Sequence, residues 1–305
     1  MRQTGGLLGY YKLDELHERE HIAQPHIAIN SASPGRGDGK YCHQMTWRLK
    51  GKTDWPDGIF NDVAFGRWGA IDLDAPMGRR NTAVGFNIPF EWPFDDDSDT
   101  GVDRGHRLQV DDTSCLDSHT GLLTVELWLQ PINLWPGTVI ARHNSASDQC
   151  GFRIGVEVRE VDGKQQNVLY YEFGGSDNGG RRTVTDPKFV IPAAQWTHVA
   201  MTFGDGKRRL IINGELADEC SVSGELEQCG APLTFAALPD QSDWYAGIID
   251  EVAIYNRVLD QQQLRLRVDA ATGALYKRHS VSAELQAWTV YCQALLASNE
   301  FIFVD

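Results

Sequence analysis

WTHVAMTF (196–203), RRLIINGELA (208–217), APLTFAAL (231–238) and WYAGIIDEVAIYNRVLDQQQL (244–264) decide the fold of this chain. Residues 196–203 combine aromatic and β-branched side chains, the composition of a strand on a half-buried sheet. Residues 209–212 form the next strand, and Asp205-Gly206 between them is a tight-turn dipeptide. Asn213-Gly214 supplies a second turn, and residues 248–255 supply a later strand. Asp260 is then placed to cap a short helix, with Gln263 at its third position. Leu259 and Leu264 have the spacing of a hydrophobic staple. The order is strand, hairpin, strand, capped helix.

Working outward, LLTVELWLQP (122–131), WTHVAMTF, LIINGEL (210–216) and GIIDEVAIYNRVL (247–259) together resemble the laminin-G-like branch of the concanavalin A-like lectin and glucanase superfamily. GLLGYYKLDE (6–15) and HRLQVDDTSCLD (106–117) are similar to that family's first strands. The resemblance runs from about Gly5 to Val268 around a large unmatched insertion. It implies an all-β fold: a two-sheet antiparallel β-sandwich of jelly-roll type, with long N-terminal loop insertions and a C-terminal helix. It specifies a fold more firmly than a function, because this fold hosts lectins, adhesive modules and glycosidases.

A chain of 305 residues can bury a sizeable core, and a sandwich of this size forms one domain. The reading divides it into a sandwich over residues 1–268, with a loop-rich insertion at 17–105, and an extension over 269–305. The 28 basic and 42 acidic residues leave a net charge of -14, which opposes binding to nucleic acid and suits solubility, cations or basic partners. No apolar run reaches the roughly 20 residues of a membrane span, and the opening residues lack the apolar core of a signal peptide. An extracellular or surface-exposed location is the expectation. Of the six cysteines, Cys220 and Cys229 flank the polar segment SVSGELEQ; a bridge there would pin a loop, and two buried thiols are the alternative.

In the insertion, NSASPGRGDGK (30–40) and WPFDDDSDTGVDRG (92–105) are turn-rich and charged, which places them in surface loops. Interspersed aromatic residues such as Trp47, Trp55 and Trp68 favour order. Residues 282–298 read as a terminal helix with Leu285, Trp288, Cys292, Leu295 and Leu296 on one face. That face either packs on the sandwich or serves self-association.

His17-Glu18-Arg19-Glu20-His21 matches the H-E-x-x-H zinc pattern, but it lacks the third ligand and the glycine of the extended pattern, so a solvated charge cluster explains it. Glucanases of the resembled family carry three carboxylates at near-alternate positions of one strand. Nothing here matches: Glu160-Val161-Asp162 runs into Gly163 as a hairpin tip, and Asp250 and Glu251 are adjacent, which in a regular strand turns them to opposite faces. No catalytic residue is assigned. Calcium, which takes six to eight oxygen ligands, is the candidate ion. Asp14 with Asp250 is one expected site, as relatives bring these strand ends together, and Asp95, Asp97 and Asp99 in one loop are another.

Sugar binding needs aromatic platforms beside polar groups that read hydroxyls. The candidates are Trp135, Arg142, His143, Asn144 and Asp148 in one rim loop, and Tyr170, Tyr171, Asp177, Asn178, Arg181 and Arg182 in the next, with Trp244 and Tyr245 in a third. Trp128, Trp196 and His198 lie in the family-like strands and read as core. The expected function is a non-catalytic recognition module for a glycan or a protein partner, steadied by calcium. The alternatives are a structural protein that self-associates and an enzyme acting on polysaccharide.

Overall fold

The computed structural model describes residues 6–13, 27–42, 64–68, 82–87, 107–118, 120–143, 151–174, 180–226, 229–240 and 242–272, with backbone only at 42, 64–68 and 82. The strands are β1 (Leu7–Tyr11), β2 (Ile27–Ala28), β3 (Gly39–Cys42), β4 (Ala64–Trp68), β5 (Thr82–Phe86), β6 (Arg107–Val110), β7 (Leu123–Pro131) and β8 (Gly137–His143). There follow β9 (Gly151–Val161), β10 (Lys164–Phe173), β11 (Arg182–Thr183), β12 (Thr197–Gly204), β13 (Lys207–Ile212), β14 (Glu215–Ser221), β15 (Leu233–Phe235), β16 (Gly247–Tyr255) and the helix α1 (Gln261–Ala271).

The strands form two sheets. Sheet I has the order β14-β13-β12-β7-β16-β5-β4, with β1 also paired to β16, and sheet II has the order β11-β10-β9-β8-β15-β6-β3-β2. Adjacent strands in both are antiparallel, as in β12 against β7 and β10 against β9. The all-β, two-sheet antiparallel sandwich expected from the sequence is the observed fold. Its core lies between the sheets: Val125, Leu127 and Leu129 of β7 and Val199 and Met201 of β12 meet Ile154 of β9 and Leu169 of β10. Burying each such side chain contributes about 1.5 to 3 kcal/mol.

Turn chemistry fixes the hairpins. Asp205 and Gly206 both have positive φ, as do Asn213 and Gly214, and as do Asp162 and Gly163 at the tip between β9 and β10. Two successive left-handed residues match the twist of the flanking strands. NSASPGRGDGK makes the β2–β3 connection; its tip is exposed, but its first residue, Asn30, is buried and donates to the Arg36 carbonyl.

β16 carries a bulge between Asp250 and Ala253, with Glu251 at φ +50. Asp250 pairs with Trp128 and Ala253 with Glu126, so two residues oppose the single Leu127. The expectation that Asp250 and Glu251 face opposite ways is corrected here. Asp250 shares the face of Trp128, and Glu251 accepts from the hydroxyl of Tyr10, which packs on that face with Ala253 and Tyr255.

The helix starts with a capping box. Asp260 accepts from the Gln263 N–H at 2.8 Å, and the Gln263 side chain accepts from the Asp260 N–H at 3.1 Å. Leu259 and Leu264 share one cluster with Ala200 and Ile211, as the staple spacing predicts. The helix crosses position 268, where the sequence reading began the extension, and the helix expected at 282–298 lies outside the described residues. No helix among the described residues is long and apolar enough to cross a membrane.

The bridge between Cys220 and Cys229 does not form. Cys220 is a free thiol on β14, as is Cys115 beside Asn30, whereas Cys229 is buried and disulfide-bonded. The reason is topological: Cys220 sits on the edge of sheet I, and Cys229 approaches Gly151 at the start of β9 in sheet II.

Candidate functional site

The outer faces of the two sheets differ. On sheet I the outward residues of β7, Glu126 and Trp128, lie opposite Ala200 and His198 of β12. α1 covers them: Val268 and Ala271 pack on Trp128, with Trp196 alongside. Beneath the helix Glu126 is 4% exposed, and it accepts from Arg267 at 2.7 Å and from the Tyr255 hydroxyl at 2.9 Å. His198 Nε2 lies 3.3 Å from its second oxygen. Burial pushes the Glu126 carboxyl up, but His198, Arg267 and Tyr255 together hold it below the usual glutamate range. Trp128 is core and His198 is a buried sheet residue, as the sequence reading had them, whereas Trp196 is only partly buried beside them.

On sheet II, α1 makes no such cover. The outward residues of β9 alternate as Arg153, Gly155, Glu157 and Arg159, and they pair across β10 as Arg153 with Glu172, Gly155 with Tyr170 and Glu157 with Val168. Glycine opposite the tyrosine is decisive: a Cβ on Gly155 would collide with the Tyr170 ring, so the ring lies flat across the strand. The Arg181 guanidinium stacks on that ring at 4.1 Å and pairs with Glu157 at 3.1 Å and Glu172 at 3.2 Å.

Asp243, at φ +49 just before β16, closes the array from the other side. Its carboxylate accepts from the Thr138 hydroxyl at 2.6 Å, from the Tyr170 hydroxyl at 3.2 Å and from Arg153. Burial raises the Tyr170 phenol well above its ordinary value, Arg153 offsets this in part and Asp243 adds to it, so the phenol stays a hydrogen-bond donor. The next residue, Trp244, bridges to Thr138 and stacks against Trp135 with ring centroids 4.9 Å apart and planes 31° apart. Both indoles are partly exposed. The result is a continuous strip from Trp135 and Trp244 through Asp243 and Arg153 to Tyr170 and Arg181.

Of the residues singled out in the sequence, Trp135, Trp244 and Arg181 fall on this strip with Tyr170. Others do not. Tyr245 is fully buried, its ring over Gly247. Tyr171 points inward, opposite to Tyr170, and donates to Asp218 at 2.7 Å, while Arg182 binds the same carboxylate at 2.6 Å and latches the edges of the two sheets together. Arg142 is a strand residue rather than part of a loop; it is buried and paired with Asp117 at 2.6 Å. His143 also belongs to β8 and lies buried 3.7 Å from Glu172. Asn144, Asp148, Asp177 and Asn178 lie outside the described residues. Sequence reasoning missed Arg153, Glu157, Glu172 and Asp243; the two-residue alternation Arg153-Gly155-Glu157-Arg159 was the available signal.

Asp14, Asp95, Asp97, Asp99 and the H-E-x-x-H run at 17–21 also lie outside the described residues. Asp250 is fully buried, and among the described residues no three His, Cys, Asp or Glu side chains gather to hold a metal.

A two-sheet antiparallel sandwich with one face closed by a helix and one face lined with indoles, arginines and carboxylates is a lectin-like domain by architecture. The sequence profile described as the concanavalin A-like lectin/glucanases superfamily, of laminin-G type, matches residues 102–265, and the chain belongs to that superfamily. No curated protein matches the sequence. Among solved structures, the chain is similar to domain 4 of AbnA, an extracellular arabinanase from Geobacillus stearothermophilus solved with arabinotriose. The TM-score is 0.50 at 16% identity, covering 87% of this chain and 98% of that one. It is also similar to the binding domain of Paraclostridial Mosquitocidal Protein 1, with a TM-score of 0.50 at 13% identity, covering 87% of this chain and 52% of that one. A mutant of HCR/D gives a TM-score of 0.52 at 8% identity, covering 87% of this chain and 51% of that one. The chain thus spans about half the length of the latter two. At these identities the likeness is one of fold.

Proposed function

We propose that the chain is a non-catalytic recognition module that binds glycan on the outer face of sheet II. The observation that carries this reading is the stacked pair Trp135 and Trp244 set beside Asp243, Arg153 and Arg181. Indole faces suit the C–H face of a sugar ring, and the carboxylate and guanidinium groups suit its hydroxyls. The absence of catalysis is supported by the engagement of the three carboxylates of this face, Asp243, Glu157 and Glu172, with arginines. The arabinotriose in the AbnA domain is consistent with sugar recognition by this fold.

Replacing both Trp135 and Trp244 by alanine tests the reading. Binding to a glycan array is expected to fall by about tenfold or more, equivalent to about 1.4 kcal/mol, with the melting temperature little changed. An array that is flat for the intact protein would remove the proposal and leave a protein partner as the reading to pursue. A calcium requirement is a separate proposal resting on Asp14, Asp95, Asp97, Asp99 and Asp250; a melting temperature indifferent to calcium and chelator would remove it. The disulfide at Cys229 supports maturation in an oxidising compartment and so an extracellular or surface location.

A further inference from the structure

Granting that the outer face of sheet II is a glycan site, its charges carry more information than its aromatic residues. Around the indole strip lie three arginines, Arg153, Arg159 and Arg181, and three carboxylates, Glu157, Glu172 and Asp243; Arg107, farther across the same face on β6, donates to the Gln109 side chain. Every arginine is already engaged. Arg153 contacts Asp243 and lies 3.5 Å from Glu172, Arg159 pairs with Glu157 at 2.7 Å, and Arg181 bridges Glu157 and Glu172 at 3.1 and 3.2 Å.

The strip is therefore charge-neutral by internal pairing. Its immediate surroundings lean negative: Asp240 lies three residues before Asp243, its carboxyl held below the usual range by Ser242. The chain as a whole carries -14.

An anionic sugar would have to win an arginine away from its carboxylate. That is costliest for Arg153, whose side chain is only 9% exposed, because the acid left behind would be partly buried and unpaired. A neutral sugar faces no such exchange. Its hydroxyls can donate to the remaining carboxylate lone pairs and accept from guanidinium N–H groups not used in the ion pairs, while its C–H face lies on Trp135 and Trp244.

We infer that this site selects uncharged, hydroxyl-rich glycans and discriminates against sialylated, sulfated or uronate-containing ones. The inference rests on the glycan reading proposed above. It goes beyond that reading by naming the ligand's charge.

The test is calorimetric titration of the intact protein. The probes are neutral arabino-, xylo- and manno-oligosaccharides on one side, and sialyllactose and a heparin hexasaccharide on the other, each at low and high salt. At least one neutral probe is expected to bind, with affinity changed by less than about twofold between the salts, since no net charge is neutralised. The heparin and sialyl probes are expected not to bind. Asp243→Asn removes the nearer of the two carboxylates that hold Arg153, leaving Glu172 at 3.5 Å, and is expected to weaken the neutral ligand and raise affinity for an anionic probe severalfold; circular dichroism checks that this variant is folded. An anionic probe bound at least tenfold tighter than every neutral one, with affinity falling steeply in salt, overturns the inference and leaves the glycan reading standing. Failure of both classes to bind overturns the glycan reading itself, and the inference with it.

Discussion

The outer face of sheet I and the outer face of sheet II are built from the same materials: indole, tyrosine, arginine and glutamate. They end in opposite states. On sheet I, α1 seals Glu126, His198, Tyr255 and Arg267 away from water, and the charges become a second core. On sheet II, where α1 does not reach, Arg181 and Asp243 are 40% and 36% exposed at the side chain and the indoles Trp135 and Trp244 remain accessible. Residue type does not separate a structural charge network from a binding face. What separates them is the rim: on sheet II Thr138, Tyr170 and Arg153 are buried as well, but Trp135, Trp244, Asp243 and Arg181 beside them stay partly exposed.

The comparison breaks first at Glu126. Glu126→Ala leaves Arg267 and His198 without their shared acceptor, and a loss of about 3 to 5 kcal/mol in urea unfolding is expected, with glycan affinity of the folded protein unaltered. A loss below about 1 kcal/mol would mean that the sheet I network is no more structural than that of sheet II. Acid provides the next contrast. The Glu126 carboxyl titrates lower in the folded protein than in the unfolded chain, so its contribution is complete above the ordinary glutamate value of about 4.3 and is lost as pH falls through the lower, folded value. Glu126→Gln is expected to flatten that part of the stability profile in an acid titration. An unchanged acid slope in the variant would assign it to other carboxylates such as Asp218, also held low, chiefly by Arg182.

Loosening the lid itself costs less. Asp260→Ala removes the helix cap and is expected to cost about 1 kcal/mol by thermal or urea melting. Arg181→Ala, on the open face, is expected to cost less still, below about 1 kcal/mol of stability, because exposed ion pairs contribute little. A larger loss would show that the sheet II network is itself a structural clamp. The smallest expected effect is chemical: alkylation of the unreduced, folded protein should label Cys220 and spare Cys229, read by peptide mass analysis.

Much of the fold was legible because its signals are local. Asp205-Gly206 and Asn213-Gly214 state their turns outright, Asp260 and Gln263 state the helix start, and the strands at 196–203 and 248–255 appear within a residue or so of their observed limits. The candidate site was legible only in fragments, because its assembly depends on register. Tyr170 and Tyr171 are neighbours of the same type and both are buried, and only the pairing of Tyr170 with Gly155 decides which one takes the outer face of sheet II. Arg153 and Asp243 are 90 residues apart and meet only through the closure of the sheet. The disulfide went astray for the same reason: eight residues between Cys220 and Cys229 looked like a loop on one sheet, and they span two.

The bulge at Glu251 has a consequence for what the chain can vary. If β16 alternated regularly beyond Asp250, Glu251 would enter the core, and Val252 and Ile254 would exchange places with Ala253 and Tyr255. The unpaired count at Glu251 works as a leap day does in a calendar, absorbing one residue at a fixed point so that both halves of the strand keep the same phase with β7. It also lets β1 dock, through Tyr10, where the strand bends. What this position conserves is therefore a number rather than a chemistry: substitutions that accept positive φ leave the phase intact, whereas straightening the strand at unchanged length turns its second half inside out.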